Sequence, residues 1–306
     1  LKTIEQIAES FKPWNPGTEL TVGLFSSVVP EFDERAFREA LVNAFGHRDY
    51  SLLGRVRVLV DDAGLTIANP GGFVEGINVH NLLTAEPRGR NPCLMDALKR
   101  TGLAERTGRG IDRIFEGALN YGRPLPDYSR SNRRGVSVLL PRSVPDKAFV
   151  ELLAEERERS GKSMSLDGLL ILDKLKSERR CGFDVLSGSL DMSDQRLRTV
   201  LGQLTEAGLV ESAGVGARRT YMLGAKVYRR SGRAMEYVRQ SDIDRVRYPE
   251  LIIELMHEQK SVSKNDVMEL LHLEENQAYY QLRKLVLEGR AKKVGSGRNV
   301  RYAAVR

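Results

Sequence analysis

The chain has 306 residues, 41% of them hydrophobic, with 48 Lys plus Arg against 41 Asp plus Glu and a net charge of +7. This composition predicts a globular chain of two or three domains. The absence of any run of about eighteen apolar residues excludes a membrane-spanning helix, and no secretory leader pattern opens the chain. Cys93 and Cys181 are the only cysteines and have no metal-ligand spacing, which excludes a disulfide framework and points to a reducing cytoplasm. Because the first residue is Leu1 rather than Met, we expect a fragment or a processed chain that lacks an N-terminal domain.

The first strong pattern runs from Phe37 to Tyr50. Read as a helix, Phe37, Leu41, Ala44 and Phe45 form one apolar stripe. Glu39, Asn43 and His47 recur every four residues and stack on a different face. A carboxylate, a carboxamide and an imidazole stacked one turn apart suit a metal-bound water beside a phosphate better than a core. Arg55 to Asp61 reads as a strand, Asp61 to Gly64 as a hairpin turn, and Leu65 to Ala68 as the return strand running into Asn69-Pro-Gly-Gly72. Arg90-Asn-Pro92 precedes an amphipathic helix. Gly108-Arg-Gly110 opens another helix, through Ile111 and Phe115, whose first N–H groups are free for an anion. Phe45, Phe73 and Phe115 read as core. The strand Gly135 to Leu140 ends at a Pro141–Pro145 boundary, and Phe149 to Arg159 reads as a charged connecting helix. Ser160-Gly-Lys-Ser163 is not a phosphate loop, because Glu156 stands where the first glycine is required.

The blocks REALVNAFGHRDY, NPGG, RNP and GRGI, in that order, resemble the GHKL-type ATP-binding fold of histidine kinases and gyrase. They are most similar to its divergent bacterial branch of RecG-related, Schlafen/AlbA-linked transcriptional regulators. The resemblance covers about residues 30–140. It implies an α/β sandwich that binds ATP with Mg²⁺, in which Glu39 polarises the attacking water and Asn43 holds the metal. Further nucleotide contacts are expected from His47, Arg48, Asn69, Gly71, Gly72, Arg90, Asn91, Gly108, Arg109 and Gly110. Two positions depart from the family. Asn69 stands where an aspartate accepts the adenine amino group, and an amide oxygen accepts the same bond without charge assistance. Arg109 replaces a threonine, and either adds a phosphate contact or blocks the site.

The positive charge is concentrated in the C-terminal half. Residues 1–159 hold 22 basic and 22 acidic residues, whereas residues 160–306 hold 26 and 19. Residues 203–221 and 284–302 align without a gap, matching Gly208 with Gly289 and Tyr221 with Tyr302. Each unit reads as a helix, a short strand, a basic Gly-x-Gly turn and a second strand. Shorter helices precede each: Leu169 to Lys176 with Phe183 to Ser187, and Pro249 to Glu258 with Lys264 to Leu271. This is the winged-helix pattern, which predicts double-stranded DNA as partner. Gln195, Arg196, Arg198 and wing residues Arg218 and Arg219 serve the first module. Gln277, Tyr280, Arg283, Lys284, Lys292, Lys293, Arg298 and Arg301 serve the second. Asp191, Asp194, Glu274 and Glu275 at the helix starts favour the helix dipole but repel phosphate, which keeps protein contacts open as an alternative.

The expected fold is α+β: a GHKL-like sandwich over 1–145, a helical linker over 146–164, and winged helices over 165–228 and 245–306. The expected function is a cytoplasmic ATP-binding transcriptional regulator, with homodimerisation in view and no membrane partner. The alternatives are an empty GHKL scaffold in a DNA-binding or dimerising protein, or an ATPase whose winged helices bind protein or RNA.

Overall fold

The computed structural model of the chain describes residues 2–22, 25–104, 108–214, 216, 219–230, 248–271, 273, 275–295 and 300–305. It is an α+β protein whose named strand pairings are all antiparallel. It divides into two compact units, residues 1–177 with 184–207 and residues 178–183 with 208–306.

The first unit opens with α1 (Lys2–Phe11) and a hairpin of β1 (Gly17–Val22) and β2 (Phe25–Pro30). Helix α2 (Glu34–Gly46) begins where Asp33 Oδ1 accepts hydrogen bonds from the Arg35 and Ala36 N–H groups, both at 2.9 Å, satisfying two orphan donors of the first turn. Most of the predicted stripe faces inward: Phe37, Leu41 and Ala44 are buried, and Phe37 stacks on Phe11 of α1 at 4.0 Å, whereas Phe45 and Phe73, also expected in the core, are only partly buried. A three-stranded sheet, order β3-β4-β5, joins β3 (Arg57–Asp61), β4 (Gly64–Pro70) and β5 (Gly135–Pro141).

Strand alternation places Leu65, Ile67 and Asn69 on one buried face of β4. Their partners on β5 are Leu140, Val138 and Val136. The apolar repeat of this face thus ends in a buried carboxamide. Helix α2 packs on β4 and on α4 (Gly110–Leu119), with α3 (Pro92–Arg100) beside its C-terminal end. The same unit continues through α5 (Lys147–Ser160), α6 (Leu166–Glu178), α7 (Phe183–Leu190) and α8 (Asp194–Glu206). Asp146 accepts from the Phe149 N–H at the start of α5 and pairs with Lys176 of α6 at 2.7 Å.

The second unit shows the internal repeat as two small sheets. In one, β8 (Thr220–Leu223) lies between β6 (Arg180–Gly182) and β7 (Val210–Ala213). In the other, β11 (Arg301–Ala304) lies between β9 (Val262–Ser263) and β10 (Ala291–Val294). Tyr221 and Tyr302, matched in the repeat, are both buried. Among the described residues, the unit's helices are α9 (Ala225–Arg230), α10 (Tyr248–Gln259), α11 (Lys264–Leu271) and α12 (Glu275–Leu287). Among the described residues, no helix is long and apolar enough to cross a membrane.

Candidate functional site

The first unit contains a cleft of about 370 Å³. Its base is the face just described: Ile67 and Asn69 of β4 with Val136 and Val138 of β5. Glu39, Asn43 and His47 of α2 form one wall, and Gly108, Gly110, Ile111 and Asp112 at the start of α4 form another. Residues 72–74, 77, 82, 83 and 85–89 complete the rim with part of α3.

The convergence is tightest at Gly110. A Cβ placed there would lie 3.0 Å from Glu39 Oε2 and 3.5 and 3.7 Å from the Asn43 amide atoms. Helix α4 has no side-chain cap, so the N–H groups of its first turn lack a side-chain partner at an end whose residues Gly108, Gly110, Ile111 and Asp112 line the cleft. Glu39 is 2% exposed and ion-paired with Arg113 of α4 at 3.6 Å, which fixes the carboxylate between the two helices. At the other end, Asn69 donates its amide to the Pro70 carbonyl at 3.1 Å and the Gly71 carbonyl at 3.5 Å. Those two carbonyls set the orientation of the carboxamide, leaving its oxygen to accept a bond. Burial and then the nearby Arg90 charge hold the His47 imidazole below its ordinary pKa. Burial raises the Asp112 carboxyl, with Arg109 and Arg196 opposing the rise.

Glu39, Asn43, His47, Asn69, Gly72, Gly108 and Gly110, all expected from sequence, share the cleft. Arg48, Gly71, Arg90, Asn91 and Arg109 do not line it. The Arg48 guanidinium donates to the carbonyls of Asp49, Leu52 and Gly54 and lies 4.6 Å over the Tyr50 ring, stapling the loop after α2. Arg90 donates to the Gly72 carbonyl at 2.7 Å and pairs with Asp49 at 3.5 Å. The Asn91 amide donates to the carbonyls of Gly46 and Arg48, at 2.9 and 2.8 Å, satisfying the C-terminal end of α2. Gly71 has φ +93°, and a Cβ there would meet Asp49 Cβ at 2.6 Å, so only glycine lets that loop close. These residues clamp the α2, β4 and α3 termini to one another. Arg109 is exposed beside the cleft at the start of α4.

Sequence reasoning missed Tyr128, which lines the cleft, is buried and stacks against Phe115 at 6.4 Å. Burial holds its hydroxyl well above the ordinary phenol pKa. Ile111, Asp112, Val136 and Val138 were also missed. The alternation of β5 signalled a buried face for the two valines without naming the cavity behind it.

The nucleic-acid set is more divided. Gln195, Arg196 and Arg198 are exposed on α8, but Arg196 makes a two-point ion pair with Asp167 of α6, one leg at 2.7 Å. In the second unit, Arg219, Gln277, Tyr280, Arg283, Lys284, Lys292 and Lys293 are exposed. Arg301 is engaged by Ser261 and, at 3.3 Å, by Asp266. Arg218 and Arg298 lie outside the described residues.

Residues 54–140 match the sequence family described as "Putative ATP-dependent DNA helicase recG C-terminal". The match supports a RecG-related, ATPase-like domain over those residues. Among solved structures, the DIP2311 protein from Corynebacterium diphtheriae is similar in fold, with TM-score 0.60, 22% identity, and 99% of this chain and 54% of that one covered. This chain therefore spans about half the length of that relative. The mRNA-binding domain of elongation factor SelB from E. coli, in complex with SECIS RNA, matches at TM-score 0.19 and 15% identity over 47% of this chain and all of that one. ScpB from Mycobacterium tuberculosis matches at TM-score 0.17 and 12% identity over 45% and 89%. Scores that low carry no information on fold. No curated protein matches the chain.

Proposed function

We propose that the chain is a cytoplasmic, nucleotide-regulated DNA-binding protein. Residues 1–145 act as a GHKL-like domain for Mg-ATP, 146–164 as linker, and 165–228 and 245–306 as winged helices that bind duplex DNA. The observation that carries the nucleotide reading is the convergence of Glu39, Asn43 and the uncapped start of α4 around the missing side chain of Gly110.

The donor set fits magnesium. A carboxylate and a carboxamide oxygen are hard ligands, and Mg²⁺ keeps several waters and takes others from phosphate rather than from a closed protein cage. Among the described residues no group of three or more His, Cys, Asp or Glu side chains gathers to hold a metal. Bound there, the metal would neutralise the phosphates. The chain's own part is to position them: Asn43 offers its amide oxygen, the α4 N–H groups face the anion, and the Asn69 oxygen accepts from an adenine amino group. Glu39, held by Arg113, is placed as the base for hydrolysis.

Two contacts within the first unit support coupling between cleft and DNA contact. Thr84, between the cleft-lining Leu83 and Ala85, donates to Asp191, just before α8, at 2.6 Å. Arg196 of α8 is held by Asp167, and both lie within electrostatic reach of the cleft residue Asp112. In this arrangement Arg196 is withheld from phosphate. The test is a salt-dependent shift assay on duplex DNA with the full chain, with and without Mg-ATP. Affinity should respond to Mg-ATP, and Asp167→Asn should raise it about tenfold by freeing one cation. Affinity that is indifferent to Mg-ATP, to Asp167→Asn and to salt sinks the reading. A second reading, in which α12 meets a protein, is favoured by Tyr280 and Leu287, which are 64% and 77% exposed.

A further inference from the structure

The charges lining the cleft pose a problem for a polyphosphate. Among the described residues that line it, four carboxylates, Glu39, Glu86, Asp96 and Asp112, face two cations, Arg88 and Lys99. Of the arginines that the sequence offers for phosphate, Arg48 is spent on three carbonyls and Arg90 on Asp49 and Gly72. Arg109 lies off the lining. Arg88 and Lys99 differ from all of these: among the described residues, neither side chain makes a hydrogen bond or ion pair. They also come from separate segments, Arg88 from the rim and Lys99 from the last turn of α3, where it is half-buried. Arg88 Nη1 lies 3.7 Å from where a Gly76 side chain would begin, so the guanidinium reaches back over the rim turn.

Building on the nucleotide reading above, we propose that Arg88 and Lys99 form the polyphosphate clamp of this cleft. The ligand class is then a metal-complexed nucleoside polyphosphate, not the free anion. A bare triphosphate would add about four negative charges to a lining with an excess of carboxylates, and like charges in a half-buried site repel strongly. The divalent ion removes about half of that charge, and the two free cations meet the remainder. Arg88 and Lys99 approach from different segments and so hold a chain of phosphates, whereas a nucleoside has nothing for them to grip.

The experiment compares Mg-ATP, ATP with chelator, and adenosine by titration calorimetry on the full chain and on Arg88→Ala, Lys99→Ala and Lys99→Arg. Thermal melts establish that each variant is folded. For Mg-ATP, each alanine variant should bind about tenfold or more weakly, as expected for a lost charge-assisted contact. Lys99→Arg should recover most of the affinity, and adenosine should bind all four proteins alike. Chelation should abolish ATP binding and leave adenosine unaffected. The clamp is overturned if wild-type chain binds adenosine as tightly as Mg-ATP, or if both alanine variants keep full Mg-ATP affinity, while the adenine site stands in either case. If neither ligand binds wild type, the nucleotide reading falls and takes the clamp with it.

Discussion

Alanine at Gly110 separates stability from ligand binding. The position has no left-handed backbone requirement, so alanine fits the start of α4. Replacing a helical glycine normally stabilises by up to about 1 kcal/mol. The new methyl would meet Glu39 Oε2 at 3.0 Å, and Glu39 is buried and tied to Arg113, so a shift of a few tenths of an ångström uses much of that gain. Net folding stability should therefore stay within about 1 kcal/mol of wild type. The methyl occupies the point where the carboxylate, the carboxamide and the helix start converge, and Mg-ATP affinity should fall at least about tenfold, or 1.4 kcal/mol. Urea unfolding and calorimetric titration on the same preparation report the two quantities. Wild-type affinity in a folded Gly110→Ala chain would refute the placement of phosphate and metal beside Glu39 and Asn43.

Three further outcomes concern the clamp around the cleft. Gly71→Ala should cost about 2–3 kcal/mol, since it combines φ +93° with a 2.6 Å approach to Asp49, and Gly102→Ala, at φ +74° in open space, should cost about 1 kcal/mol less in urea unfolding. Asn91→Ala should lower stability by about 1–2 kcal/mol, read as a shifted urea midpoint with unchanged slope, because two carbonyls at the end of α2 lose their donor. An unmoved midpoint would show that water replaces the amide without penalty. The lowered His47 pKa means that the unfolded chain takes up the proton first. Its contribution to stability is complete above the ordinary value of about 6.5 and is lost as pH falls through the folded value. Arg90→Ala should raise the His47 pKa measured by NMR without restoring it, because burial is the larger cause.

The parts of the site that follow from local periodicity were legible in the sequence. The four-residue spacing of Glu39, Asn43 and His47 needed only helical geometry, and all three line the cleft. The repeat pairing Tyr221 with Tyr302 gave the two hairpins of the second unit because strand alternation is local. The roles of the arginines were not legible. Arg48, Arg90 and Arg301 all read as phosphate ligands by residue type, yet each satisfies backbone carbonyls or a carboxylate brought near by folding. A guanidinium with five donors takes whichever acceptors lie within reach, and that depends on tertiary placement. The Asn91 amide behaves the same way: its partners lie 45 and 43 residues away in sequence. Tyr128 joined the cleft through a loop with no periodic signal, whereas Lys99 was hidden on a helix whose inward face was unknown.

The central claim is that Glu39, Asn43, Asn69 and Gly110 enclose a site for Mg-ATP. Calorimetric titration of Mg-ATP into wild type and Asn43→Ala tests it most directly. Wild type should give a saturable single-site isotherm, with affinity weakened at least about tenfold in Asn43→Ala. A wild-type chain that shows no saturable heat, or a variant that binds as well as wild type, would contradict it.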